Sequence, residues 1–311
     1  MRKAIIDIGT NTINLLIAEV TGDSYQIIHS SKQPAKMGKG GINSGTILPE
    51  AMQRGYDAIE SHMQTIAAYC VGQADIVAIG TSALRSADNA AVFADEVRRR
   101  FGLDIVIISG EREAQLIYDG VKQVMPIGID RVLILDIGGG SCEFIIANKE
   151  GIVWKHSFEL GMARLVDRFA PSDPIGTKEI KAIETYLRAE LAPLYEALHQ
   201  YPTARLIGTS GSFDTIATLI AARTHPNMNI RMSTSYTIPI SAFEELHRRL
   251  LASTAAQRAA MKQMDPSRVD LVVTGSIFIN FVIREMRIEE LQQCGFALKQ
   301  GALYEIISNQ F

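Results

Sequence analysis

The chain has 311 residues, 47% of them hydrophobic, which is length for about two domains and apolar content for two sizeable cores. A net charge of −3 gives no general attraction to nucleic acid or membranes, so an anionic ligand would have to be met by local positive charge and metal. The cysteines Cys70, Cys142 and Cys294 show no Cys-x-x-Cys spacing, which argues against a disulfide framework or a zinc site and fits a reducing cytoplasm.

The charged start Met1-Arg2-Lys3 leads into apolar residues that Asp7 and Asn11 interrupt, unlike a signal peptide, and no apolar run approaches the roughly 18 residues that span a bilayer. A soluble cytoplasmic protein is expected, with no nucleic-acid or membrane partner. Residues 3–20 read as strand, turn and strand, with Gly22 and Asp23 marking the next turn. Lys32 to Gly45, rich in glycine and lysine, reads as an exposed loop. Pro49 sits in the first turn of a helix whose Met52, Tyr56, Ile59, Met63 and Ile66 share one face, and Asp75–Gly80 is a short buried strand.

Thr81–Arg85 begins a helix that turns hydroxyls and N–H groups toward an anion, and Arg85 is placed either to reach a phosphate or to pair with Asp88. Asn89–Phe101 is amphipathic, and its Arg98-Arg99-Arg100 run reads as a solvated helix end that complements the dipole. After a strand over Leu103–Ile108, Ser109 caps a helix in which Glu111 and Glu113 both suit the positive end. The residues alone leave open which of the two projects as a general base.

Val132–Ala147 reads as a hairpin with a glycine-built turn at Gly138-Gly139-Gly140, where backbone amides can approach an anion without a Cβ in the way. Asp136 and Glu143 flank that turn, positioned to share a divalent metal with a phosphate oxygen. Trp154–Leu160 follows, then a short amphipathic helix over Gly161–Phe169, a loop from Pro171 to Thr177, and a helix over Lys178–Leu198 kinked at Pro193. A strand at Arg205–Gly208 feeds Thr209-Ser210-Gly211-Ser212-Phe213, and Asp214–Arg223 continues as helix. Ser241-x-x-Glu244 and Thr254-x-x-Gln257 match capping boxes. Pro266–Met286 is apolar on one face, Ile288–Gln293 reads as a short edge strand, and Leu298–Phe311 as a final amphipathic helix.

The hairpin device occurs twice. Asp7, Gly9, Thr12 and Ala18 precede Asp136, Gly138, Ser141 and Ala147 by a constant 129 positions, and Ile79-Gly80-Thr81-Ser82 precedes Ile207-Gly208-Thr209-Ser210 by 128. Matched pairs at nearly one spacing predict a duplicated α/β half, hence two like domains facing each other.

On these residues the chain resembles the exopolyphosphatase and guanosine-pentaphosphate phosphohydrolase (Ppx/GppA) family of the actin-like, sugar-kinase and Hsp70 superfamily, over nearly its whole length. The resemblance rests on Asp7–Thr12, Gly80–Arg85, Ser109–Tyr118, Asp136–Glu143, Gly208–Ser212 and Leu298–Gly301 in order. It implies two duplicated actin-like (ribonuclease H-like) α/β domains about a central cleft, with residues 1–120 and 298–311 in one and 121–297 in the other. It also implies a homodimer and the short form of the family, because no His-Asp dipeptide of an appended phosphohydrolase module follows.

By position the resemblance puts the catalytic glutamate at Glu113, the metal-associated carboxylates at Asp136 and Glu143 with Asp7 near the same ion, and a phosphate-binding arginine at Arg85. Cys142 stands where the family usually has threonine, leaving one substrate contact in question. Lys299-Gln300-Gly301 replaces Arg-Glu-Gly, and Lys36 stands where arginine is common.

The expected reaction is Mg²⁺-dependent hydrolysis (Mn²⁺ being the substitute ion) of the terminal phosphoanhydride of inorganic polyphosphate, with guanosine pentaphosphate as the alternative substrate. Amides of Gly9, Thr10, Asn11 and Thr12 and of Gly138, Gly139, Gly140 and Ser141 would take up charge on the terminal phosphate. Glu113 would activate water, assisted by Glu143 and the metal, while Gly208, Ser210, Gly211 and Ser212 hold a phosphate further along. A kinase of the same superfamily, or a nucleotide-dependent scaffold, are the competing expectations.

Overall fold

The computed structural model describes residues 1–225, 228–230, 233–308 and 310–311. It divides into two compact units, Met1–Gly120 with Leu298–Phe311, and Val121–Ala297.

In the first unit β1 (Arg2–Ile8) turns back into β2 (Thr12–Thr21), which pairs in turn with β3 (Ser24–Pro34). After α1 (Pro49–Ala68), β4 (Ile76–Gly80) runs parallel to β1, then come α2 (Ser82–Ser86), α3 (Ala90–Phe101), β5 (Ile105–Ile107) and α4 (Gly110–Val121). The sheet order is β3-β2-β1-β4-β5. Ala4, Ile5 and Ile6 are fully buried, the continuous apolar run of a strand covered on both faces.

The second unit repeats the plan with β6 (Val132–Ile137), β7 (Cys142–Asn148) and β8 (Gly151–Phe158), followed by α5 (Met162–Phe169), α6 (Thr177–Glu190) and α7 (Ala192–Gln200). Next come β9 (Arg205–Thr209), α8 (Ser210–Thr224), β10 (Ser235–Thr237), α9 (Ile240–Leu251), α10 (Ala255–Ala259), α11 (Val272–Glu285) and β11 (Glu290–Cys294). Its order is β10-β11-β9-β6-β7-β8, so β8-β7-β6-β9-β11 reproduces the first sheet with one strand added. The chain then returns to the first unit as α12 (Leu298–Ile307). The fold is therefore α/β, two duplicated actin-like halves.

Several elements differ from expectation. The stretch after Asp23 is a full strand, β3, and only the end of it overlaps the expected loop. The helix expected to kink at Pro193 is instead two helices separated at Leu191, with Pro193 in the first turn of α7, where its missing N–H costs nothing. Ser241 lies inside α9, whose N-cap is Pro239, so no capping box forms there; the Thr254 box does form. Strand β11 is internal because β10 covers its outer edge. Helix α11 is buried nearly all round, not on one face. The last helix stops at Ile307, and Asn309 lies outside the described residues. No helix among the described residues is long and apolar enough to cross a membrane.

Candidate active site

The β1–β2 and β6–β7 turns close in the same way. Gly9 N–H donates to Thr12 O and Gly138 N–H to Ser141 O, both at 3.1 Å. A Cβ on either glycine would stand 2.9 Å from the carbonyl it binds, which is why both positions are glycine.

In the first unit the turn is braced by the segment after β3. Gly38 N–H donates to Thr10 O at 3.2 Å, and the N–H groups of Ala35 and Lys36 donate to Asn11 O at 3.0 and 2.9 Å. Lys36 takes a left-handed backbone, φ +45°, to do so. In the second unit the bracing comes from the start of α5, where Met162 N–H donates to Gly138 O at 3.0 Å and Ala163 N–H to Gly139 O at 2.7 Å. Among the described residues nothing accepts a hydrogen bond from the N–H of Thr10, Asn11, Gly139 or Gly140. Two short rows of backbone amides are thus presented with their carbonyls tied back, the arrangement that binds anions.

The carboxylates sit at matching register. Asp136 faces Glu143 across β6–β7, and Asp7 faces Asn14 across β1–β2. Asp136 is 6% exposed and accepts from Thr209 Oγ1 at 2.7 Å and Ser210 Oγ at 2.6 Å. Burial pushes its carboxyl above the usual range, opposed by those hydroxyls and by Arg268. Ser210 holds its hydroxyl there from a left-handed backbone, φ +66°, strain of the kind found at working sites. Glu143, 1% exposed, accepts from Ser157 Oγ at 2.7 Å.

Two buried like charges directly opposite one another destabilise a strand pair unless a proton or cation is shared between them. An all-oxygen pair of this kind fits Mg²⁺, which takes one or two carboxylates and completes its shell with water and phosphate. Among the described residues no group of three or more His, Cys, Asp or Glu is gathered as a larger metal cage.

In the first unit α2 and α4 bring Arg85 and Glu113 together. Arg85 Nη1 lies 2.9 Å from Glu113 Oε2 and 3.1 Å from Ile108 O, so Arg85 pairs with Glu113 and not with Asp88. Glu113, 9% exposed, stands in the first turn of α4, where Ser109 Oγ accepts from Arg112 N–H at 3.1 Å and caps the helix. Glu111 occupies the same turn but is exposed.

Other expectations change. Cys142 is fully buried in the core with Leu135 and Phe144, so its side chain is packed as a core residue. Burial, Glu143 and Asp136 all push that thiol well above its ordinary range. Ser212 packs toward Gly275 of α11, apart from the Asp136 hydroxyls. Gly208 lies within β9.

Asn14, Ser157, Thr209 and Arg268 were not singled out from sequence. Asn14 was available there, since it precedes Glu143 by the same 129 positions. Arg268 had no signal in its apolar stretch. Its guanidinium lies across Gly211, where a Cβ would come within 2.0 Å of Nη2, and burial pulls its pKa below the usual range, opposed by Asp214, Asp265 and Asp136.

Comparison with known proteins gives one answer. Residues 16–310 match the Ppx/GppA phosphatase family. The crystal structure of an exopolyphosphatase from Cytophaga hutchinsonii superposes with a TM-score of 0.96 at 36% identity, covering 99% of this chain and 98% of that one. Exopolyphosphatase 1 of Mycobacterium tuberculosis is 28% identical, over 100% of this chain and 89% of its own length. A guanosine-5'-triphosphate,3'-diphosphate pyrophosphatase of Photobacterium profundum is 25% identical over 98% of this chain and 59% of its own.

Proposed function

The chain belongs to the Ppx/GppA phosphatase family and is a hydrolase of phosphoanhydrides, and from that premise we propose that it removes the terminal phosphoryl group of inorganic polyphosphate as orthophosphate. The observation that carries this reading is the repeated glycine turn whose carbonyls are tied back and whose amides are presented in a row. Such a turn suits a group with charge spread over several equatorial oxygens. A cytoplasmic homodimer fits the same reading.

The roles follow from the chain's own groups. Glu113 orients a water and takes its proton as the water oxygen bonds to the terminal phosphorus. The bridging P–O bond breaks, and the leaving oxygen stays with the shortened chain. Arg85, already against Glu113, holds that carboxylate in place and supplies positive charge to the adjoining phosphate. Amides of Thr10, Asn11, Gly139 and Gly140 stabilise phosphoryl oxygens, while the N–H groups expected to do so at Gly9 and Gly138 instead close the two turns. Asp136 and Glu143 would hold Mg²⁺, with Asp7 proposed as a further carboxylate for it; when bound, the ion would supply positive charge against the leaving chain. Thr209 and Ser210 fix the Asp136 carboxylate by donating hydrogen bonds to its Oδ2.

Removal of the 5′ γ-phosphate of guanosine pentaphosphate is the second reading, favoured by the 25% identity to the Photobacterium profundum protein. The test is orthophosphate release from long polyphosphate, guanosine pentaphosphate and ATP in parallel, with Mg²⁺ and with chelator. Release from polyphosphate that chelator abolishes supports the proposal. Turnover of ATP alone, and only with a sugar present, would replace it with a kinase.

A further inference from the structure

A glycine turn gains its use in phosphate binding at the cost of stiffness. Gly138, Gly139 and Gly140 lack Cβ atoms, so their peptide planes rotate between orientations at little steric expense. A cradle built from them has to be held from outside. Because the peptide unit is planar and trans, its C=O and the next residue's N–H point in opposite directions. A donor that ties back one carbonyl therefore aims the following amide.

Three successive peptides are held this way. The Gly138 carbonyl, bound by Met162 N–H, aims the Gly139 amide, and the Gly139 carbonyl, bound by Ala163 N–H, aims the Gly140 amide. The third carbonyl, of Gly140, aims the amide of Ser141. Its backbone donor, Gly161 N–H, is long at 3.3 Å, while Arg164 Nε donates to it at 2.9 Å. Arg164 is 8% exposed, an uncommon place for an arginine, and its Nη2 is pinned 2.9 Å from Glu159 Oε2. The approach is close: a Cβ on Gly161 would lie 2.3 Å from Gly139 C and Gly140 N. The Thr10 and Asn11 carbonyls of the first unit are tied by backbone donors.

We propose that Arg164 is a positioning residue that fixes the Gly140–Ser141 peptide and so completes a cradle of three amides for the terminal phosphate. The inference rests on the reading that this turn binds phosphate. It assigns to Arg164 control of an amide, through a charge-assisted bond to a carbonyl, and no contact with substrate.

The experiment measures orthovanadate affinity in Mg²⁺ buffer by calorimetry, alongside kcat and KM, for wild type, Arg164→Met, Arg164→Lys and Glu159→Gln. Arg164→Met is expected to weaken orthovanadate binding by about tenfold or more and to lower kcat more than it raises KM. Arg164→Lys, which can still donate to the Gly140 carbonyl, is expected to recover most of that loss. Glu159→Gln changes an exposed carboxylate and keeps the fold; it is expected to weaken orthovanadate about two- to threefold at unchanged Tm.

A folded Arg164→Met protein with wild-type orthovanadate affinity overturns the proposal, as does a lowered Tm with affinity unchanged per folded molecule. If Arg164→Met does not fold, unchanged affinity in both Arg164→Lys and Glu159→Gln overturns it. Wild type that fails to bind orthovanadate overturns it as well. Wild type that binds orthovanadate yet releases no phosphate from polyphosphate removes the hydrolase reading and leaves the role of Arg164 standing.

Discussion

Glu113 and Arg85 meet at 2.9 Å, so substitutions at the two positions should separate chemistry from stability. Glu113→Gln keeps size and hydrogen bonding but cannot take a proton. It is expected to lower kcat by about 10²–10⁴ while orthovanadate affinity stays within about threefold. A near-wild-type rate would remove Glu113 from the role of base. Arg85→Met leaves the Glu113 carboxylate without its cation in a mostly buried setting, and a loss of about 1–3 kcal/mol on urea unfolding is expected. Adding Glu113→Gln to Arg85→Met should restore part of that loss, because no charge then remains to be compensated. Additive losses in this double-mutant cycle would mean the ion pair contributes nothing to the fold.

Helices α9 and α11 meet through a polar pair inside an apolar contact. His247 Nδ1 lies 3.0 Å from Ser276 Oγ, and the ring stacks on Phe243 at 5.9 Å. Burial, with Arg284 second, pulls the His247 pKa down from 6.5 to about 4. The folded protein then binds fewer protons than the unfolded chain between those values. Stability is fully present above about 6.5 and is lost as pH falls toward 4, on the order of 2 kcal/mol by pH 5. Comparing urea midpoints at pH 7 and pH 5 checks this: the wild-type drop should shrink in His247→Gln, and an equal drop in both would refute it.

The hairpins and α1 could be read from sequence because glycines and a clear apolar period mark them. Strand β3 could not, since none of its residues is buried and the ladder to β2 alone defines it. Strand β10 is three residues long, and it covers the edge that the reading of Ile288–Gln293 as an edge strand left open. The site divides in the same way. Carboxylates and turn amides announced themselves by spacing, whereas Ser157, Thr209, Arg164 and Arg268 act on partners that only the sheet order and helix packing bring near.

Each of the two units has its own core, and the first is completed by a helix from the far end of the chain. Gly301 of α12 approaches α4 so closely that a Cβ would lie 1.8 Å from Leu116 O. Arg112 of α4 pairs through its Nη1 and Nη2 with Glu305, which is 4% exposed. Deleting residues 298–311 should therefore speed hydrogen exchange at β1 and α4 by about tenfold or more, while β6 and β9 change by less than about twofold. Equal loss of protection in both units would show that they unfold as one.

The halves are alike in strand order and turn closure, but at one register position Asn14 stands in the first and Glu143 in the second. A single ancestral gene can encode only one residue at that place. If the halves descend from one gene, the split into amide and acid arose after that gene had doubled, when each copy could first mutate without its twin.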